Sequence, residues 1–248
     1  MPDWTTWRDI AADLRAAISA GDYPPGTRLP SRAKLTERYR VAPQTVTNAI
    51  NALRNEGLIV GIAGGGWYVR PQRPAMRVNR RRLSQAERDA GRGAFLTDAF
   101  YGQFESRVVT NMWSEPATGE VAAALGIEQG SEVFVRDRVM YRDDVPAQLA
   151  TSYLPRDLTA GTAIEQENPG PGGIHQRLID AGHRLVSFIE IVHIGQASEQ
   201  EAAQLNIPTA AAVFRIDRTA HTDDRAVEVN NIVIPGERVQ LVYELPAD

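Results

Sequence analysis

The sequence predicts an α+β protein in two parts: a small helical unit ending in a hairpin, then a larger antiparallel-sheet domain with an internal repeat. Three observations predict it. Apolar residues recur at helical spacing through the N-terminal region, then give way to two short apolar runs around a glycine-rich tip. Charge is divided, with 16 Lys+Arg against 8 Asp+Glu in residues 1–93 and 11 against 23 in residues 94–248. Residues 122–155 also overlay residues 202–235 without a gap, at an offset of 80.

The elements of the first part follow in order. Trp7, Ile10, Ala11, Leu14, Ala17 and Ile18 share one helical face, so a helix runs from about Thr5 to Ala20, and Gly21 stops it. Tyr23-Pro24-Pro25-Gly26 is a turn. Ser31 is a candidate N-cap for a second helix through Tyr39, with Leu35 and Tyr39 inward. After a short turn, Pro43 suits the first position of a third helix, which Gly57 ends. Val46, Ala49, Ile50 and Leu53 share its inner face; Gln44, Thr45, Thr47, Asn48 and Asn51 lie opposite. Leu58-Ile59-Val60 and Trp67-Tyr68-Val69 are two short strands around Gly64-Gly65-Gly66.

Composition excludes several classes. The chain has 248 residues and no cysteine, which removes a disulfide framework, a thiol nucleophile and a Cys-type zinc site. No run approaches the roughly 20 apolar residues that span a bilayer. No basic n-region precedes an apolar stretch, so a cytoplasmic protein is expected. His175, His183, His193 and His221 lack metal-ligand spacing, and neither a G-x-S-x-G elbow nor a P-loop lysine is present. No metal and no cofactor are expected.

A basic segment on an acidic body suggests that one half meets a polyanion, against the alternative of solvated charge clustered by chance. Two short helices with a tight turn, the second exposing amides and hydroxyls, suit the major groove. The plainer alternative is a small helical bundle with a polar surface.

Gly21-Asp22-Tyr23-Pro24-Pro25-Gly26-Thr27-Arg28-Leu29-Pro30-Ser31 resembles the G-x-x-x-P-G-x-x-L-P-S signature of the GntR family of bacterial transcription regulators. Leu35, Tyr39, Val41, Thr45-Val46, Ala49-Ile50, Leu53 and Glu56-Gly57-Leu58 continue the match, as does the wing ending Gly66-Trp67-Tyr68-Val69. The resemblance implies a winged helix-turn-helix over residues 1–70 that binds operator DNA. The implied contacts are Arg32 and Lys34 to phosphate, Gln44, Thr45, Thr47 and Asn48 to bases, and Gly65 at the wing tip. Where the family usually has Ser-Arg-x-Thr-Val-Arg, this chain has Ala42-Pro43-Gln44-Thr45-Val46-Thr47, so both arginines and the capping serine are replaced. Residues 71–93, with Arg77, Arg80, Arg81, Arg82, Arg88 and Arg92, read as a basic linker. It is either a flexible tether adding phosphate contacts or a solvated interdomain segment.

In the repeat, Leu125 meets Leu205, Val133-Phe134 meets Val213-Phe214, Asp137-Arg138 meets Asp217-Arg218, and Pro155 meets Pro235. Each copy reads as a strand, a short helix and a two-stranded hairpin. Two copies would form one sheet with pseudo-twofold symmetry. Phe134, Arg136, Arg138 and Met140 share one face of a strand, the two arginines about 6.6 Å apart. Both forks could converge on one anion. The alternative is cross-strand salt bridging to Glu228 or Glu190. The second copy keeps Arg218 but has Ile216 opposite Arg136.

Residues 94–248 resemble the UTRA ligand-sensing domain of HutC-type GntR regulators. The resemblance rests on Leu125-Gly126-Ile127, Arg136-Asp137-Arg138, Thr151-Ser152-Tyr153-Leu154-Pro155, Leu205-Asn206-Ile207 and Arg218. It implies a chorismate-lyase-like fold that dimerises and binds a small metabolite, with Arg136, Arg138 and Glu228 at the effector. A second acidic contact common in relatives is Ala150 here. The whole reading is a homodimeric repressor that leaves a near-palindromic operator when a small anionic effector binds. The alternative is an enzyme whose lyase-like domain acts on a small aromatic acid.

Overall fold

The computed structural model describes residues 6–62, 66–70 and 75–244; Gly65 lies outside them. Chain contacts divide the protein into one unit of residues 1–74 with 207–209, and a second of residues 75–206 with 210–248.

The first unit opens with α1 (Trp7–Ala20), started by a capping box in which Thr6 and Asp9 satisfy each other's backbone N–H. Gly21 ends it at φ 87°, a left-handed conformation that suits glycine. α2 (Arg32–Tyr39) is capped by Ser31, as its sequence requires. α3 (Pro43–Asn55) begins with proline at its first turn, and Ala42 offers no side-chain cap. The wing is β1 (Ile59–Ile62) paired antiparallel with β2 (Gly66–Val69). One core joins these elements: Ile10, Leu14, Leu35, Val46, Ala49, Leu53 and Ile59 are all fully buried. Tyr39 adds a polar tie, its hydroxyl donating to Asp13 at 2.6 Å across α1 and α2. Burial and that bond push the phenol pKa up.

The second unit begins with β3 (Met76–Asn79), a 3-10 turn, α4 (Gln85–Asp89) and α5 (Ala94–Gly102). The sheet elements follow: β4 (Ser106–Pro116), α6 (Gly119–Leu125), β5 (Glu132–Arg142) and β6 (Val145–Pro155). Then come α7 (Arg156–Thr159), a 3-10 turn at Ala163–Glu165, α8 (Gly173–Asp180) and the second copy, β7 (Ser187–Gln196), α9 (Glu199–Leu205), β8 (Ala212–His221) and β9 (Ala226–Pro235). β10 (Val239–Val242) closes the unit by pairing in parallel with β3.

The six-stranded sheet runs β4-β5-β6-β9-β8-β7. The repeat holds pair for pair. Arg107 faces Tyr141 as Ser187 faces His221, and Val133 faces Pro155 as Val213 faces Pro235. Even the register shift at Met140/Tyr141 recurs at Ala220/His221. Thr151 pairs with Asn231, its own repeat equivalent, so the pseudo-twofold axis passes between them. α6 packs over β9 and α9 over β6, each helix crossing to the other half. Ser198 and Glu201 form the capping box that starts α9.

The linker expectation is corrected from residue 75 onward. Val78 is fully buried with Phe95, Met140 and Ala150, because β10 supplies a strand partner far along the chain. Arg82 is buried in an ion pair with Asp98, Arg88 donates to the Leu83 carbonyl, and Arg92 pairs with Glu87 at 2.7 Å. Three of the six arginines that suggested a free basic tether are therefore committed inside the second unit. Among the described residues no helix is long and apolar enough to cross a membrane.

The bare cap of α3 makes a direct prediction. Ala42 is exposed in extended backbone at φ −63° and ψ 146°, the geometry an N-cap serine adopts. Ala42→Ser should stabilise the first unit by about 1 kcal/mol. Amide hydrogen exchange through α3 should slow roughly fivefold; unchanged or faster exchange would show that the cap does not form.

Candidate nucleic-acid interface and effector site

α3 turns its apolar positions inward, and this orients the rest. Gln44 and Asn48 are exposed, while Thr45 and Thr47 are half-buried. The Gln44 amide donates to Asn48 Oδ1 at 3.0 Å, which holds the two side chains together along the helix. Thr47 donates its hydroxyl to the Pro43 carbonyl at 3.0 Å, leaving its oxygen as an acceptor. Arg32 and Lys34 are exposed in the first turn of α2. A groove beside them is lined by Arg28, Ser31, Arg32, Thr47, Asn51 and Trp67. Arg28 and Asn51 are additions to the expected set. Arg28 stands in the signature itself, and its guanidinium lies against Gly66, where a Cβ would sit 3.0 Å from Nε.

In the second unit, one buried row crosses all six strands: Met112, Arg136, Ser152, Asn230, Arg218 and Glu190, each paired with the next. Arg136, Ser152, Arg218 and Asn230 are all at most 6% exposed. Apolar clusters lie on either side. Met140, Ala150, Ile216 and Ile232 pack with Val78 and Phe95; Phe134, Leu154 and Ala220 pack with Ile164, Ile174 and Leu178.

Arg136, Arg138 and Glu228 thus share one sheet face, but the two guanidiniums serve different partners. Arg136 donates to the carbonyls of Ile164, Gln166 and Glu167 at 2.5, 2.6 and 2.9 Å. Arg138 donates to the Ser152 hydroxyl, and Ser152 donates to Glu228 Oε1 at 2.6 Å. Glu228 Oε2 meets His175 Nε2 at 2.6 Å, and Glu190 takes Arg218 at 2.7 Å. The cross-strand salt bridge to Glu190 weighed for the paired arginines is made instead by Arg218, which lies beyond Ser152 and Asn230 along the row. Sequence alternation placed the arginines on a face; it could not show the 164–167 segment lying over that face.

Electrostatics follow from this packing. Burial, with Arg138 close by, lowers the Arg136 pKa to about 10. Burial also lowers Arg138, against the pull of Glu228. Burial and nearby Arg82 lower Arg218 to about 10, with Glu190 opposing. Burial disfavours the Glu228 carboxylate, yet His175, Arg138 and Ser152 outweigh it and hold its pKa at about 2. Arg82, Arg136, Arg138 and Arg218 stand on or beside the row against Asp98, Glu190 and Glu228. Glu167 and Asp137 add their charges beside Arg136 and Arg138.

A helix-turn-helix with a wing, joined to a ligand-domain sheet with a buried cationic row, defines a DNA-binding regulator. Residues 6–69 match the family described as bacterial regulatory proteins, gntR family, and residues 103–240 match the UTRA domain. The HTH-type transcriptional regulator SCO4628 of Streptomyces coelicolor is 31% identical over 254 residues, covering 98% of this chain and 93% of that protein. The transcriptional repressor NagR of Bacillus subtilis is 28% identical, covering 94% and 92%. A histidine utilization repressor of Klebsiella aerogenes is 24% identical, covering 95% and 92%. A crystal structure described as a GntR-family transcriptional regulator matches with a TM-score of 0.64 at 27% identity, covering 100% of this chain and 99% of that one. The chain belongs to the GntR family of transcriptional regulators and carries a UTRA domain. These relatives are regulators, and the lyase alternative has no support among them.

Two consequences of the row are measurable. Arg136→Ala would strand three carbonyls and should cost about 3 kcal/mol of unfolding free energy; a cost below about 1 kcal/mol would free Arg136 for a ligand role. Glu228 has a folded pKa below its ordinary 4.5. Its stabilisation is therefore present above about 4.5 and lost as pH falls toward about 2. The stability gap between the wild type and Glu228→Gln should close over that window; a gap unchanged at low pH would contradict the assignment.

Proposed function

We propose that this regulator is a cytoplasmic homodimeric repressor, released from a near-palindromic operator by a small anionic effector. Residues 1–70 form the DNA-binding part, and the second unit, from residue 75 onward, is the effector and dimer part. The observation that carries the effector reading is the cluster of buried guanidiniums on one sheet face, where burial lowers the pKa of Arg136, Arg138 and Arg218 despite the carboxylates near them. An anion entering such a low-dielectric site gains far more from a guanidinium than it would in water. Arg138 and Glu228 are the candidate effector contacts. Arg136 supports the site by holding the 164–167 segment over it. Several relatives are named as repressors, which supports the sign of regulation.

Gln44, Thr45, Thr47 and Asn48 read bases, while Arg32 and Lys34 hold phosphates. The dimer's symmetry requires two half-sites. Effector binding shifts operator affinity by a coupling free energy, typically about 1–3 kcal/mol.

Operator titration of the whole chain tests the DNA half. Asn48→Ala should cost about 1–3 kcal/mol at one or two base pairs. Arg32→Ala and Lys34→Ala should weaken operator and random DNA alike, and reduce the salt dependence. Equal losses on both DNAs for Asn48→Ala would remove the direct-readout assignment. Thermal unfolding with small organic acids and sugar phosphates, beside their neutral analogues, tests the effector half. A ligand at 100 times its Kd stabilises by about 2.7 kcal/mol; stabilisation by the neutral members alone would refute an anionic effector.

A further inference from the structure

β4 and β7 are the two edges of the sheet. Both expose apolar side chains: Val108, Val109 and Trp113 on β4, Ile189, Ile191, Val192 and Ile194 on β7. A long, apolar edge without lysine, and with proline only at its last residue, is a template for another strand. β4 meets that description over eleven residues.

Twofold pairing of a strand with its own copy has a strict requirement. The strand must be complementary to itself when reversed, because residue i then faces j and j faces i. β4 meets this requirement about Asn111. Arg107 would face the partner's Glu115, Val109 the partner's Trp113, and Asn111 its own copy. All of these positions share one face of the strand by alternation. On the other face Val108 would meet the partner's Ser114, and Thr110 the partner's Met112. Opposite charges and apolar pairs in directly facing positions are the interactions that stabilise a sheet.

β7 fails the same test about its two central residues, Ile191 and Val192. Centred on Ile191, it sets Glu190 opposite Val192; centred on Val192, it sets Glu190 opposite Ile194. Glu190 is also committed to Arg218. On β4 the charged groups are available. Arg107 is half-exposed, with only a 3.6 Å approach to an exposed Asp144 and the Tyr141 ring beneath it. Trp113 donates Nε1–H to Glu115 at 2.7 Å, which keeps that carboxylate on the strand.

We propose that two copies of this chain join β4 to β4, antiparallel about Asn111, so that their sheets continue into one of twelve strands. The proposal rests on the homodimer reading and adds the surface. Because the chain has no cysteine, one introduced thiol per copy can pair only with its counterpart. Asn111→Cys places two thiols on the twofold axis, about 5 Å apart at Cα, which a disulfide spans.

Sedimentation of the full chain, with oxidation followed on non-reducing gels, tests this. Asn111→Cys should cross-link nearly completely, while Ile191→Cys on β7 should not. Arg107→Glu alone should weaken the dimer roughly tenfold, since it sets like charges opposite each other in both symmetric pairs. The same holds for Glu115→Arg alone, and the double variant should restore wild-type affinity. A wild-type monomer would overturn both this proposal and the homodimer reading. A wild-type dimer that ignores the charge exchanges, or cross-links through Ile191→Cys but not Asn111→Cys, would overturn the β4 surface alone.

Discussion

The second unit hangs on five residue pairs, from Leu149 with Val233 to Tyr153 with Val229, which join β6 to β9. Each half-sheet is a three-stranded piece with a long exposed edge, and this pairing turns both inner edges into a centre. The register is fixed because a slip of one residue would send every core side chain to the wrong face. The crossed helices reinforce it: α6 grows from the first half and packs on β9, α9 from the second and packs on β6. Neither half can bury its apolar face without the other.

The same axis explains how a symmetric scaffold acquires an asymmetric site. It maps the row Arg136, Ser152, Asn230, Arg218 onto the row Ile216, Ile232, Ala150, Arg138. One row has become polar and its mate nearly apolar; only the Arg138–Arg218 correspondence survives. Burying so many polar groups is costly unless each finds partners. The 164–167 carbonyls, Ser152, Glu190 and the His175–Glu228 pair supply most of them. Some atoms still lack one: Arg136 Nε, Arg218 Nη2 and Asn230 Oδ1 have no hydrogen-bond partner. The row therefore keeps buried polar atoms that its own side chains do not satisfy.

Much of this was legible in the sequence because local patterns carried it. Helical spacing gave the three helices of the first unit, and Ser31 announced the cap of α2. The gap-free offset gave the repeat, hence the pseudo-symmetry. What was hidden depends on contacts distant in sequence. Met76 and Val78 stand among arginines, and only β10, about 160 residues later, makes their segment a strand. The 164–167 segment has no periodicity that would seat it over Arg136. Alternation put Arg136 and Arg138 on one strand face, as the sheet has them, but their hydrogen-bond partners came from other elements.

The position of Arg82 bears on how a ligand could be felt at the DNA. It belongs to the stretch that follows the winged unit in the chain, yet it is buried in the second unit with Asp98 and close enough to Arg218 to lower its pKa. Asp98 sits on α5, so the ion pair ties the entering chain to that helix. A change in the charge of the row therefore acts on Arg82 through Arg218 without any long relay of contacts. The coupling is bounded by the ligand's differential interaction with the two arrangements of this segment, however tightly the ligand binds. Arg82 and Arg218 each already hold a carboxylate, Asp98 and Glu190, so these ion pairs seat the segment without an added anion.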